Sequence, residues 1–295
     1  MSLSFYILLI SNGLIILLNT FFNDCIDQNE VIISALLITL IGIPHGAIDH
    51  LLFLKKTNRS QLFFYSFYLV LIILYVVAWV FFPIISLSLF LLLSAYHFGQ
   101  SQFETYDSLK KESKRIMAFL WGTSILSSFV LINFQQISTL ITQLAEFNIF
   151  TALFRYEAFE IICYTSIFML ISFSAIHHRF FSFKKEAIYF LLIVLTFSLH
   201  SLFIGFSLFF VFTHSLEVLR SEHSFLNRLN KNYSFLKFIR ALIPFTALSI
   251  IGISFFYLLS IFGVIDLSLP LLLLVSISSL TLPHAVVMEI FYRLK

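Results

Sequence analysis

Charged residues are scarce in this sequence. Aspartate, glutamate, lysine and arginine make up 11% of its 295 residues, whereas a soluble globular domain has about 25%. Hydrophobic residues make up 60%, and uncharged runs such as 61–82 are long enough to cross the roughly 30 Å hydrocarbon core as a helix. No alternating segments of the kind that build a transmembrane β-barrel are present. The composition therefore excludes an ordinary soluble domain and predicts an all-α, polytopic transmembrane helical bundle.

Cysteine is almost absent, and no strong patch of one charge is present. Cys25 and Cys163 lie far apart, which predicts neither a disulfide framework nor a cysteine zinc site. The net charge is +3, and the basic residues lie in short loops, so nucleic-acid binding has no support. The partner that the composition does predict is the lipid bilayer.

Hydrophobic runs predict about ten membrane spans within a single integral membrane domain, 1–295. They lie at 2–21, 31–54, 61–82, 84–103, 116–134, 159–177, 186–202, 204–219, 238–262 and 268–292. The first run has no basic leader and no small-residue cleavage site, so we expect 1–21 to be a retained, extra N-terminal span. The weakly apolar stretch 135–158 is expected to be an interfacial or re-entrant segment.

Basic residues fix the predicted orientation. If the ten spans alternate, all of the 18 lysines and arginines except Arg155 fall on one side of the membrane. The positive-inside rule makes that side cytoplasmic. Both termini are therefore expected in the cytoplasm, as in a multi-pass protein of the cell's inner membrane.

Histidines divide into two groups. His177, His178 and His223 fall in predicted cytoplasmic loops, and His200 falls at the outer end of a span. The members of the second group lie inside spans that all run in the same direction, and the best candidates are His45, His97, His214 and His284. Each of these four lies roughly 9–15 Å from the cytoplasmic end of its helix, at about 1.5 Å per residue. Because buried ionisable groups in a membrane mark functional sites, four at one depth predict a shared site.

Residues near two of these histidines strengthen the prediction. Asp49 follows His45 by four residues, on the same helical face, where it can orient an imidazole or hold water. His50 is rotated away from that face and is a weaker ligand candidate. Pro44 and Pro283 each precede a candidate histidine and interrupt the helical hydrogen bonding there.

Polar residues also surround the other two histidines. Tyr96 and Gln100 belong to a polar run around His97, where they can orient a ligand or a substrate. Glu217 follows His214 by three residues and is a metal ligand, a supporting base or a partner of Arg220. These three roles stay open.

Several neutral imidazoles with few carboxylates suit Fe(II), Zn or Cu. Haem needs only two facing histidines. A proton path is the other physical interpretation, but a path runs along the membrane normal, whereas equal depth favours ligands around one point. The sequence therefore predicts a metal centre.

In order along the chain, the motifs resemble the Brp/Blh family of bacterial and archaeal membrane β-carotene 15,15′-dioxygenases. The motifs are Pro44-His45-Gly46-Ala47 with Asp49, then His97-Phe98-Gly99, then His214-Ser215, then Pro283-His284. The resemblance covers the chain from the second span onward, about 22–295. It implies Fe(2+) bound by His45, His97 and His214, with β-carotene and O2 as substrates and two molecules of retinal as products.

The third motif departs from the family pattern. That pattern resembles His-Ser-x-Arg-His, but Glu217 and Val218 occupy its last two positions here. Gln102 also replaces an acidic residue that follows the second motif in the family. The fourth ligand is therefore absent, or it is His284 or Glu217.

Two other functions remain open from the sequence. A related metal-dependent oxygenase acting on another carotenoid or lipid would explain the altered third motif. A non-enzymatic transporter would explain proline- and glycine-broken helices, although the chain shows no internal repeat of the kind found in many transporters. The favoured prediction is a non-haem iron dioxygenase with direct access to an apolar polyene in the bilayer.

Overall fold

Helices account for nearly all of the structure, a computed structural model that describes residues 2–22, 24–103, 106, 109–142, 155–177, 183–230, 233–264 and 267–293. No strand occurs in these residues. In chain order the helices are α1 (Leu3–Phe21), α2 (Glu30–Lys56), α3 (Gln61–Phe81), α4 (Pro83–Phe103), α5 (Lys111–Ile132), α6 (Phe134–Thr142), α7 (Tyr156–Ile176), α8 (Phe183–Leu199), α9 (Leu202–Leu229), α10 (Phe235–Ile261) and α11 (Leu269–Arg293). A short helical turn, Cys25–Gln28, precedes α2.

Hydrophobic length alone located these helices well. Within the described residues, nine helices are long and apolar enough to cross a membrane, namely all but α6 and α8. The predicted fold class, an all-α polytopic membrane protein, is confirmed. Helix α8 coincides with the predicted span 186–202 but has 17 residues, about 25 Å at 1.5 Å per residue, which is at the lower limit for crossing.

The stretch 135–158 was predicted to lie at the interface or to re-enter the membrane. Helix α6 occupies its beginning and has nine residues, too few to cross the hydrocarbon core. The part at 143–154 lies outside the described residues.

Three spanning helices begin at a serine that caps them. The hydroxyls of Ser2, Ser60 and Ser234 accept hydrogen bonds from the backbone N–H groups of Phe5, Phe63 and Lys237, at 3.2–3.3 Å. A capping oxygen satisfies one of the N–H groups that a helix leaves unpaired at its start. These serines explain why α1, α3 and α10 begin where they do.

Two compact units make up the chain. The first contains Met1–Ile38 and Ser94–Glu217, and the second contains Thr39–Leu93 and Val218–Lys295. In the first unit, α5 packs along α7 and against α8. A single integral membrane domain for 1–295 stays a prediction.

The second unit has its own apolar core. Fully buried side chains from α2, α9 and α11 meet there, among them Leu52, Val218 and Phe291. The Trp79 indole N–H donates to the Ser278 hydroxyl at 2.8 Å, which ties α3 to α11. This core includes Ala47 and Val287, which follow His45 and His284 by two and three residues.

The orientation of the termini depends on whether α8 crosses the membrane. If it does, ten crossings put both termini in the cytoplasm, and a C-terminal fluorescent protein should fold while a C-terminal alkaline phosphatase should stay inactive. The same pair of fusions at the N-terminus is the control. An active C-terminal phosphatase beside a fluorescent N-terminal fusion would mean that α8 does not cross.

Candidate metal centre

Helix α2 is irregular where it carries His45. A π-helical turn, Ile38–Gly42, is followed by a 3-10 turn, Ile43–Gly46, before regular helix resumes at Asp49. His45 is buried, and its Nδ1 is hydrogen-bonded to the carbonyl of Gly42. Because a carbonyl only accepts, Nδ1 carries the proton and Nε2 keeps a lone pair.

His284 is held by Asp49 in the same unit. Its Nδ1 lies 2.9 and 3.0 Å from the two carboxylate oxygens of Asp49, and the Tyr68 hydroxyl donates to Oδ2 of Asp49 at 3.0 Å. Asp49 and His284 are buried and Tyr68 is half-buried. The His284 ring meets the His45 ring edge to face with centroids 4.7 Å apart. A carboxylate on one ring nitrogen orients a histidine for metal binding through the other.

The orientation of His284 by Asp49 differs from the pairing suggested by sequence spacing. The interval of four residues put Asp49 on the face of His45, whereas its carboxylate binds His284. The interval assumes 100° per residue, but the 3-10 turn over Ile43–Gly46 advances about 120° per residue. Asp49 is therefore rotated from the face that a regular helix would give it.

Close packing also brings His284 near the backbone of α2. A Cβ added at Gly46 would lie 3.2 Å from Nδ1 of His284. Pro283 lies inside α11, which continues to Arg293. The glycine of the first motif thus leaves room for the histidine of the fourth.

His97 and His214 form a second pair, in the first unit. The Nε2 atoms of the two buried rings are 3.1 Å apart. His214 lies in a π-helical turn, Phe209–Ser215, within α9, and such wide turns occur frequently at functional sites. The sequence places both histidines in one four-histidine site, which stays a prediction, and it gives no sign of the π-helical turn.

Ser101 sets the tautomer of His214. Its Oγ lies 3.3 Å from Nδ1 of His214 and donates its own proton to the carbonyl of Phe98 at 3.0 Å. The serine oxygen therefore accepts from Nδ1–H, and the lone pair on Nε2 points toward His97. Ser101 was missed, although it follows His97 by four residues in the polar run.

The separation of the pair suits a shared ion. Two ligands at about 2.0–2.1 Å from one metal, roughly 90–110° apart, lie about 2.8–3.4 Å from each other. The 3.1 Å between the Nε2 atoms falls in that interval. It also suits an N–H···N hydrogen bond between two neutral rings, so metal content has to distinguish the two arrangements.

Aromatic side chains cover His214. The Phe98 ring meets it edge to face at 4.7 Å, and the Phe210 ring stacks on it at 5.7 Å. Both phenylalanines are buried. They remove water from the imidazole, which strengthens any interaction its lone pair makes.

The other residues proposed for the site lie on α4 and α9, and His50, the weaker ligand candidate, lies on α2. Glu217 accepts a hydrogen bond of 2.5 Å from the Ser4 hydroxyl, at the beginning of α1. Tyr96 is half-buried and Gln100 is buried on α4, and their roles stay predictions. His50 packs its ring against Phe245 at 4.6 Å.

The histidines expected to have no metal role occupy varied places. His177 is hydrogen-bonded to the Ser113 hydroxyl at 3.2 Å, and the His223 ring packs on Phe238 at 5.1 Å. His200 is buried and hydrogen-bonded to Asn12 at 2.8 Å. His178 lies outside the described residues.

Sequence comparison supplies an independent observation. The family model described as beta-carotene 15,15'-dioxygenase matches residues 36–292. All four candidate histidines lie within the match, and α1 precedes it. Comparisons with curated proteins and with solved structures give no match.

The glycine of the second motif generates a prediction, because it fixes the helix that carries His97. A Cβ added at Gly99 would lie 1.8 Å from the carbonyl oxygen of Ala118 on α5, a contact that only backbone movement can relieve. We expect Gly99→Ala to lower the thermal midpoint by several degrees and to reduce metal binding. Gly252→Ala on α10 is the control, since nothing lies within 4 Å of its added Cβ. Equal midpoints for the two variants would contradict this account.

Proposed function

The chain belongs to the β-carotene 15,15′-dioxygenase family, and we propose that it is a membrane oxygenase that splits β-carotene at its central double bond. The reaction adds one oxygen atom of O2 to each carbon of that bond and gives two molecules of retinal. It consumes no external reductant. The setting we propose is the inner (plasma) membrane of the cell, where the apolar substrate is dissolved.

The buried, oriented imidazoles are the observation that carries this proposal. Nδ1 of His45, His214 and His284 each faces an oxygen, from Gly42, Ser101 and Asp49 respectively. This arrangement leaves Nε2 of each ring as the metal-binding atom. We propose that these three histidines and His97 bind one Fe(2+), whose bound form supplies the binding and activation of O2.

The protein's own residues then have distinct tasks. Asp49, with Tyr68 behind it, keeps the His284 ring from turning, and Ser101 does the same for His214. Phe98 and Phe210 keep water from the imidazole, and excluding water protects reactive intermediates. Holding the central double bond of the polyene at the site is the remaining task, and positioning of this kind supplies much of an enzyme's rate.

A second candidate is a related oxygenase that acts on another carotenoid or lipid. The altered third motif favours it, because Glu217 and Val218 stand where the family pattern resembles Arg and His. Glu217 bonds to Ser4, so in this chain the position belongs to a structural contact. The products formed from β-carotene separate the two candidates.

Expression in a bacterium that accumulates β-carotene tests the reaction. We expect loss of orange colour and one retinal pool without shorter apocarotenals, measured by liquid chromatography. His97→Ala, with its membrane level checked by a C-terminal tag, is the inactive control. Shortened products other than retinal would point to a different cleavage position. Unchanged β-carotene beside a well-inserted protein would contradict the first candidate and favour the second.

Metal content tests the proposed fourth ligand. His284→Ala should lose bound iron as completely as His97→Ala does, because both remove a lone pair from the ion. Glu217→Gln should keep most of the iron, since an amide oxygen can still accept from Ser4. Iron per chain is measured by mass spectrometry on protein purified in detergent. The reverse ranking would identify Glu217 as the ligand instead.

The hydrogen bonds between His284 and Asp49 generate a separate prediction. Asp49→Asn should weaken metal binding about 10–100-fold, the usual cost of losing a group that orients a ligand. Tyr68→Phe removes only one bond to Asp49 and should have a smaller effect in the same titration. A larger loss in Tyr68→Phe than in Asp49→Asn would contradict the proposed order of support.

A further inference from the structure

Helix α1 lies outside the family match, which begins at residue 36. One of its faces is buried and partly polar, unlike a helix that only anchors a protein in lipid. Its buried residues are Ser4, Leu8, Asn12 and Ile15. Their spacing of three and four residues places them on one face of the helix. Two of the four are polar, and polar side chains inside a membrane protein need hydrogen-bond partners.

Both the amide nitrogen and the amide oxygen of Asn12 have hydrogen-bond partners in the first unit. Its Nδ2 donates to the Leu8 carbonyl at 2.8 Å and to the Thr196 hydroxyl at 2.9 Å. Its Oδ1 accepts from Nε2 of His200 at 2.8 Å. Because Thr196 donates its own proton to the carbonyl of Leu192, its oxygen is free to accept from Asn12. These bonds fasten α1 to α8 in one register.

Ser4 fastens the same helix to the segment that carries His214. Its hydroxyl donates to Glu217 at 2.5 Å, three residues beyond His214. Helix α1 also packs directly against the π-helical turn Phe209–Ser215. A π-helical turn is less regular than α-helix, so its geometry depends on what packs against it.

Helix α8 in turn holds the end of α4. The Glu186 carboxylate accepts from Nε2 of Gln102 at 2.6 Å and from the Tyr106 hydroxyl at 2.5 Å. Gln102 follows His97 by five residues on the same helix. The segments that carry His97 and His214 are thus both connected to the assembly of α1 and α8.

We propose that α1 is a positioning helix for the metal centre, acting through Ser4 and Asn12 to keep the π-helical turn in the form that directs His214 toward His97. This inference rests on the proposed function to the extent that the two histidines bind metal. Ser4 and Asn12 are positioning residues, since neither touches an imidazole of the pair. The helix that the family match omits thereby contributes to the chemistry of the matched part.

The test uses the full-length protein in detergent with two variants, Asn12→Leu and Ser4→Ala. Thr20→Val is the matched control, because Thr20 is exposed on α1 and its hydroxyl bonds only within that helix, to the Ile16 carbonyl. Ser4→Thr keeps the hydroxyl donor and is the rescue variant. Two measurements are made on each protein: amide hydrogen exchange across 209–215, without metal, and titration with Co(II) followed by its visible spectrum.

We expect faster exchange across 209–215, about tenfold weaker Co(II) binding and a shifted Co(II) spectrum in Asn12→Leu and Ser4→Ala, at the lower end of what loss of supporting groups costs. Thr20→Val and Ser4→Thr should match the unchanged protein. Unchanged exchange in both Asn12→Leu and Ser4→Ala would overturn the inference. If Asn12→Leu fails to fold, Ser4→Ala decides, because it removes a single hydroxyl.

Failure of the proposed function gives a different result. The unchanged protein would then bind no Co(II), while the exchange measurement would still show whether α1 supports the turn. If every variant binds Co(II) equally well and exchanges at the same rate, the metal-centre proposal stands and α1 has no part in positioning the centre.

Discussion

An imidazole buried in a membrane protein has two nitrogens to satisfy, and this requirement governs the site. One nitrogen carries a proton that needs an acceptor, because an unsatisfied polar group in an apolar surrounding costs several kcal/mol. In this chain a carbonyl, a hydroxyl and a carboxylate meet Nδ1 of His45, His214 and His284 respectively. Three different acceptors thus have the same effect: each binds the proton on Nδ1, so that the lone pair of the ring is on Nε2.

The irregular turns follow from the same requirement. A carbonyl in a regular helix faces along the helix axis toward the next turn, and an irregular turn changes which groups it faces. Pro44 lacks an N–H, and the π-helical and 3-10 turns around it bring the Gly42 carbonyl to His45. In α9 the π-helical turn carries His214 itself. His45 and His214 therefore depend on departures from helical regularity that the rest of their spans have to stabilise, whereas His97 and His284 lie in continuous α-helix.

Sequence reasoning succeeded where the bilayer sets the rule. Span positions follow from hydrophobic length. The choice of four histidines follows from the cost of placing ionisable groups in lipid, and as a metal site it stays a prediction. The sequence predicts that Asp49 orients an imidazole but does not identify which one. Its partner His284 comes from α11, 235 residues along the chain, and local spacing carries no information about such a contact. The roles of Ser101 and Ser4 depend on tertiary packing in the same way. Asn12 did leave a signal, an amide in the middle of an apolar span, but its partners are visible only in the structure.

The contact between α4 and α5 has a consequence for how this protein can change over evolutionary time. Gly99 lies against the Ala118 carbonyl, and Gly122 lies against the Ala95 carbonyl, so the two backbones touch on both sides of the level of His97. The depth of that histidine is consequently set by main-chain atoms, which every sequence shares, and not by the shapes of neighbouring side chains. Apolar side chains elsewhere on the two helices can be substituted without displacing the imidazole. Substitution of either glycine would separate the two backbones and displace it.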